Sequence, residues 1–279
     1  MKLRGTCALA VILSALIAAS CSSGPKPPAV GTPAYYWSAA KETYDAGDYI
    51  KTVQHLSNLC RTDNDFTMRA TPWRLVLIAG MAKGYMELAD NYEFGARANR
   101  ANSMQFRRQV NDYRTLAGRL ALEFAETFEK FETAQKGPEV LLEFSYPIGS
   151  AMRTPILTKV ASGQMLQPAA AEELRKTHLQ TAMLNMTTEA VGAGEDRAKA
   201  QQLFKAGVVK VPREAFILAM ANALNGTADL YSRTKLDDPK RMEFFATHAM
   251  DAVKPLPETK ETKALLGKAL KTMKLVSGK

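Results

Sequence analysis

The sequence predicts an all-α chain assembled from antiparallel helix pairs. Three observations carry that expectation. From Ala34 onward the apolar residues recur at helical spacing, while alternating, strand-like runs are scarce. Gly-Asp and Asp-Pro steps punctuate the chain where one helix would stop and the next begin. With 46% hydrophobic and 23% charged residues among 279, the composition is that of a globular protein, not of a disordered chain or a fibre. The net charge of +9 permits an acidic partner or an anionic surface and decides neither.

The first element is not part of the packed body. Lys2 and Arg4 precede an apolar run from Ala8 to Ala19, which is shorter than the roughly 20 residues a bilayer span needs. A basic head, an apolar middle and small residues at the end read as a secretory signal. Ala18-Ala19-Ser20 leads straight into Cys21, and this pattern resembles the bacterial lipobox, with Ala18 where Leu is usual. The resemblance implies cleavage before Cys21 and lipid on that residue; an ordinary cleaved signal with Cys21 as a bystander is the alternative. Ser22 to Pro33 holds four prolines and two glycines, a flexible tether that would reach about 35 Å at about 3 Å per residue. Cys7 would leave with the signal, so Cys60 would be the last thiol, with no internal disulfide expected. Removing Lys2 and Arg4 takes 37 basic residues to 35 against 28 acids, a charge of +7.

The next elements form the clearest pair. Tyr36 and Tyr44 flank the small Ala39 and Ala40 on one helix. Gly47-Asp48-Tyr49 closes it, Gly suiting the C-terminal cap and Asp the following N-terminus. Val53, Leu56 and Leu59 then share one face of the second helix. Bulky residue, small pair, aromatic, Gly-Asp-Tyr turn and amphipathic helix resemble a tetratricopeptide repeat, with Thr52 where Ala and Asn64 where Pro is usual. Asp196 to Pro212 is similar to the second helix of such a unit through Ala200, Phe204, Gly207 and Pro212, and the helix before it, roughly 168–191, ends at Gly192-Ala193-Gly194. Two looser pairs follow the same plan. One is Trp73 to Leu88, a turn at Asp90-Asn91-Tyr92, then Gly95 and Ala96. The other is Arg213 to Tyr231, a turn at Asp237-Asp238-Pro239, then a helix to Val253. Glu258 to Val276 reads as a terminal helix that would cap the stack, with Leu265, Leu266, Ala269, Leu270 and Met273 on one face. The resemblance implies a right-handed TPR-like α-solenoid.

The expected organisation is therefore a signal peptide (1–20), a lipidated Cys with its tether (21–33), an N-terminal helical half (34–136), a connecting segment (137–168) and a C-terminal half with its cap (169–279). Pro138, Pro147, Pro155 and Pro168 interrupt the connecting segment, and Thr154-Pro155 marks a short helix to about Ala161. Leu141, Leu142, Phe144, Tyr146 and Ile148 are apolar, so the segment must be covered. It reads as a loop packed across the stack. The other reading is one wall of a ligand or partner cleft against the first repeat, with Phe144 and Tyr146 as its liners.

Signals for catalysis are nearly absent. His55, His178 and His248 have no second His or Cys at metal-ligand spacing, and neither a nucleophile elbow nor a phosphate loop occurs. No metal, cofactor or enzymatic activity is expected. Glu123, Glu126, Glu129 and Glu132 read as a solvated face, and Cys60 as a small buried hydrophobe. Arginine is better patterned: Arg97, Arg100, Arg107, Arg108, Arg114 and Arg119 fall within an arc of about 140° at 100° per residue. Phe106, Val110, Tyr113 and Leu120 lie opposite. This is a solvent face or a docking stripe for carboxylates or phosphates, with Arg107, Arg108, Arg114 and Arg119 as candidate partner-binding residues. Nucleic acid is not an expected partner of an exported chain.

The two resemblances together imply a lipoprotein of the outer membrane, facing the periplasm, that acts as a protein-protein interaction scaffold; Ser22 after the Cys fits that destination. Its partner would be an envelope protein or peptide, and the lipid on Cys21 would tie it to the membrane. The alternative is a ligand-handling accessory of an uptake system, resembling the T-component of tripartite periplasmic transporters.

Overall fold

In a computed structural model, residues 27–147 and 155–277 are described. The signal segment, Cys21 and the first part of the tether (22–26), together with Ile148 and the Thr154 cap, lie outside the described residues. Within them the chain is mainly helical.

The first pair forms for the local reasons its sequence suggests. Helix α1 (Pro33–Asp45) opens with Pro33 in its first turn and the Thr32 hydroxyl accepting from the Tyr35 N–H at 3.2 Å. Gly47 takes a φ of +74°, the left-handed conformation that ends a helix without side-chain strain. Asp48 then caps α2 (Tyr49–Leu59) by accepting from the Lys51 N–H. Thr52 stands fully buried at the α1–α2 contact, because its hydroxyl reaches the Asp48 carbonyl at 2.9 Å and Thr43 Oγ1 at 3.1 Å. Asn64 builds the following turn, donating to the Leu59 carbonyl and accepting from the Phe66 N–H.

The next two helices are far longer than a repeat would supply. Helix α3 (Thr67–Ala98) and helix α4 (Ser103–Ala134) have 32 residues each, about 48 Å at 1.5 Å per residue. The turn expected at Asp90-Asn91-Tyr92 does not exist: α3 runs through it, and the Asn91 amide donates to the Glu87 carbonyl one turn back. In α3 every residue from Leu75 to Met81, and Ala82 after it, is buried. A helix covered on all sides has no polar face, so its periodicity fades. It packs against α2, α4, strand β1 (Glu139–Leu142), α5 (Pro155–Ala161), α6 (Pro168–Ala190) and α8 (Arg213–Ala228). Pro72 lies inside α3 and deprives the Met68 carbonyl of its usual donor; the Gln135 side-chain amide supplies one at 3.3 Å. Helix α4 behaves as its sequence suggests, burying Phe106, Val110, Tyr113, Leu120, Phe124, Phe128 and Phe131.

A second correction concerns Asp196 to Pro212. Helix α7 (Arg197–Phe204) stops after eight residues, and Val209–Pro212 is strand β2, not the end of a helix. It pairs antiparallel with β1, from Glu139↔Pro212 to Leu142↔Val209. Val140, Leu142, Val209 and Val211 are buried on one face of this small sheet. After α8, a short 3₁₀ turn (Asp229–Tyr231) leads to α9 (Pro239–Val253), which follows the expected turn and is capped by Asp238, and to α10 (Lys260–Ser277), which packs on α9 and α8.

Close approach to α3 depends on its glycines. A Cβ at Gly84 would stand 2.9 Å from a Leu179 methyl and 3.0 Å from the Ala182 Cβ of α6. At Gly95 it would overlap both the Phe106 ring of α4 and the Val160 carbonyl of α5. Gly95→Ala should therefore cost about 1–3 kcal/mol, since backbone as well as a ring would have to move. Gly226→Ala meets nothing within 4 Å inside α8, and should stabilise by about 0.5–1 kcal/mol through helix propensity. Urea midpoints of the two variants against wild type test both signs.

Candidate functional site

A cleft of about 550 Å³ lies where four parts of the chain meet. Helix α1 supplies Lys41, Tyr44 and Asp45; residues 143–146 after β1 form one wall; α7 and the turn after it supply Gln201, Phe204, Lys205, Gly207 and Val208. Trp73 of α3 lies at the base.

Its floor is aromatic. Phe144 stacks on Trp73 with centroids 5.4 Å apart and planes 9° from parallel. Tyr44 meets both rings edge-on at 5.4 and 5.6 Å, and Phe204 lies 5.3 Å from Phe144 and 5.4 Å from Tyr146. Burial, reinforced by the nearby Tyr49 and Asp45, pushes the Tyr44 hydroxyl well above its ordinary pKa, so it stays protonated. Trp73 is fully buried, and its indole N–H has no acceptor among the described residues.

The 143–146 wall is pinned at both ends. Glu143 accepts from Lys41 Nζ at 2.9 Å and Arg69 Nη1 at 2.6 Å, while both cations lie over the Trp37 ring. Burial pushes the Glu143 carboxyl up, but the hydrogen bonds and charge of Lys41 and Arg69 outweigh it and hold the carboxyl below 4.5. At the other end the Tyr146 hydroxyl lies 3.0 Å from Thr188 Oγ1. The Thr188 proton goes to the Leu184 carbonyl at 2.7 Å, so Tyr146 is the donor in that contact.

Phe144 and Tyr146 thus stand together in this cleft, opposite α1 of the first helix pair and α7. The arginines do not stay together. Arg97 ends α3 and shares the Glu93 carboxylate with Arg114, at 3.4 and 3.5 Å, while Arg100 falls in the connection to α4. Arg107, Arg108 and Arg119 are exposed along α4. Arg114 is a correction: its side chain is only 9% exposed and pairs with Glu93 of α3 at 3.5 Å. Because α3 continues past residue 90, the α3–α4 contact is wide enough to cover a position at the edge of the expected polar arc. Arg119 instead lines a groove between α2 and α4 with Arg61 and Glu123. Glu123 is not simply solvated, since it pairs with Arg74 at 2.6 Å. Cys60 is half-buried, and burial raises its thiol pKa. Among the described residues no three His, Cys, Asp or Glu side chains could hold a metal ion together.

Sequence reasoning missed Lys41, Glu143, Gln201 and Lys205 as parts of the cleft. Glu143 did carry a signal, as the lone charge within the apolar stretch Leu141 to Tyr146. No family model matches the chain, and no curated protein or solved structure matches it.

Two predictions follow from these ion pairs. The stability that ionised Glu143 supplies is fully present above pH 4.5 and is lost as pH falls through its lower folded value. The gap in urea midpoint between wild type and Glu143→Gln should hold from neutral pH down to pH 5 and close toward pH 3. Arg114→Ala should cost about 1–2 kcal/mol by emptying a buried position and leaving Glu93 only the exposed Arg97 as partner, whereas Arg107→Ala and Arg108→Ala should stay within about 0.5 kcal/mol, as exposed substitutions do. Thermal melts of the three variants separate the buried arginine from the exposed ones.

Proposed function

We propose that this chain is an exported lipoprotein whose helical body works as a binding scaffold in the cell envelope. The single observation that carries the reading is the cleft between α1, residues 143–146 and α7. It combines an aromatic floor with a rim of both charges, Lys41 and Lys205 against Asp45 and Glu143, which is the make-up of a recognition site. An open, charged rim suits a polypeptide better than a small apolar molecule sealed from water. That favours the scaffold over the uptake-system accessory. The N-terminal pattern supports the anchor: Lys2 and Arg4, the apolar run, then Ala18-Ala19-Ser20-Cys21, with a proline-rich tether up to the capped start of α1. On this reading Cys21 carries the lipid, the body faces the periplasm, and the partner is an envelope protein or peptide.

The α1–α2 pair, with 13 and 11 residues and a Gly-Asp turn, supports a tetratricopeptide-like origin for the first unit. Elsewhere the helices have outgrown that pattern. The test has two arms. Palmitate labelling in cells should mark wild type and be lost in Cys21→Ser; persistence of the label in that variant would overturn the anchor. A photo-reactive side chain at Val208 on the cleft rim should cross-link a discrete envelope protein, while the same group at Gly226 should not. Equal or empty patterns from both positions would overturn the scaffold.

A further inference from the structure

The cleft sits at a particular place in the small sheet. From Glu139↔Pro212 to Leu142↔Val209 the strands β1 and β2 are paired, and the Arg213 N–H extends the pairing to the Pro138 carbonyl at 2.8 Å. Beyond Leu142 the two chains part. The β2 side turns off at Gly207, φ +87°, toward α7. The β1 side continues as Phe144, Ser145 and Tyr146, outside any helix or strand. None of the backbone N–H or C=O groups of these three residues has a hydrogen-bond partner among the described residues. The cleft occupies the space that a continued β2 would have filled, bounded by 143–146 on one side and Lys205, Gly207 and Val208 on the other. A second group nearby also lacks a partner: the buried indole N–H of Trp73, at the base of the same cleft.

We propose that this cleft receives an extended polypeptide segment, paired main chain to main chain along Phe144–Tyr146. The inference rests on the binding reading above and names its chemistry. Unpaired donors and acceptors that follow one another along a chain are complementary to another backbone, which presents the same groups in the same succession. Alternate side chains of the guest then face the rings of Tyr44, Phe144 and Phe204, and the others face the charged rim. The rim carries both signs, so recognition falls on the main chain and the apolar pocket more than on net charge. The wall that pairs is already held by the Glu143 ion pairs and the Tyr146 hydroxyl, so little ordering is required of it on binding.

The protein carries its own reporter, because Trp37 and Trp73 are its only tryptophans. The probe is the octapeptide most enriched from a random displayed library on the full-length chain in detergent, resynthesised unmodified and N-methylated at each position in turn. Binding is read from Trp73 fluorescence in a Trp37→Phe background and from hydrogen exchange of the wild-type chain. The expected result is a loss of affinity of tenfold or more for N-methylation at every second position, with little change between. Exchange at the Phe144 and Tyr146 amides, which continue the β2-facing side of Val140 and Leu142, should slow at least tenfold with little change at Ser145, and Val208→Trp, which narrows an exposed rim, should weaken binding tenfold or more. Indifference to N-methylation, unprotected amides or unaltered binding by Val208→Trp would each overturn the proposal. If no peptide is enriched while cross-linking at Val208 captures an envelope protein, main-chain pairing falls and the scaffold stands; if both fail, both fall.

Discussion

The burial of α3 on every side from Leu75 to Ala82 is the constraint from which the rest of the fold proceeds. A stretch of helix with no solvent face must be surrounded, and α2, α4, α5, α6, α8 and β1 are the elements that pack on α3; beyond that stretch Lys83, Glu87, Asp90 and Phe94 reach solvent. Three of its neighbours approach closely because Gly80, Gly84 and Gly95 present no side chain there. Replacing any of the three would meet Met183, Leu179 and Ala182, or Phe106 and the Val160 carbonyl. Interiors at crystal-like density leave no slack for a methyl group in such contacts. The antiparallel partner α4 takes the longest contact and needs only one apolar face, so it keeps a polar outer side.

The first turns of α3 are covered differently from the rest, and that difference creates the cleft. Around Trp73 the cover is α1 and the chain after β1, joined through aromatic rings and the Glu143 ion pairs, instead of another long helix. Rings meeting edge-on and stacked fill space well, yet they leave the indole N–H without an acceptor. Pro72, one residue earlier, creates a second polar debt at the Met68 carbonyl, which Gln135 meets from the end of α4. The start of the hub helix thus carries two polar groups that its own turns do not satisfy, and it lies beside the concavity.

How much of this was legible in the sequence depended on how local each signal was. The α1–α2 pair, the apolar face of α4 and the Asp238-capped α9 are written in residues within one or two turns of each other, and all three appear where expected. The length of α3 was hidden, because its middle, buried all round, loses the 3.6-residue alternation that marks a helix in sequence, and beyond it Asp90-Asn91-Tyr92 looked like a turn. The β1–β2 pair was hidden for the opposite reason. Each strand has four residues, and their partners lie some 70 positions away. Phe144 and Tyr146 were visible as apolar residues in a proline-broken segment that had to be covered. Their neighbours Lys41 and Phe204 were not, since only the fold brings them together. Arg114 shows the limit of a helical wheel: its angular position was right, and the width of the neighbouring contact decided its burial.

The two walls of the cleft are held to very different degrees, and this bears on how it can work. The 143–146 wall is tied to α1 by Lys41, to α3 by Arg69 and the Trp73 stack, and to α6 by Tyr146. The opposite wall hangs from the short helix α7, whose main packing is against α6. There Gly207 has nothing within 4 Å of where a side chain would be, and Val208 is 42% exposed. Few buried contacts and exposed backbone put a segment at the low end of local stability. The α7 side is thus the less firmly held of the two, although Phe204 packs on Phe144 and Tyr146 and the Arg197 carbonyl lies 3.4 Å from the Tyr146 hydroxyl. On the main-chain pairing proposed above, one firm edge and one looser edge would let guests of different side-chain bulk share a single backbone register, because the residues that set the register would be the firmly held ones.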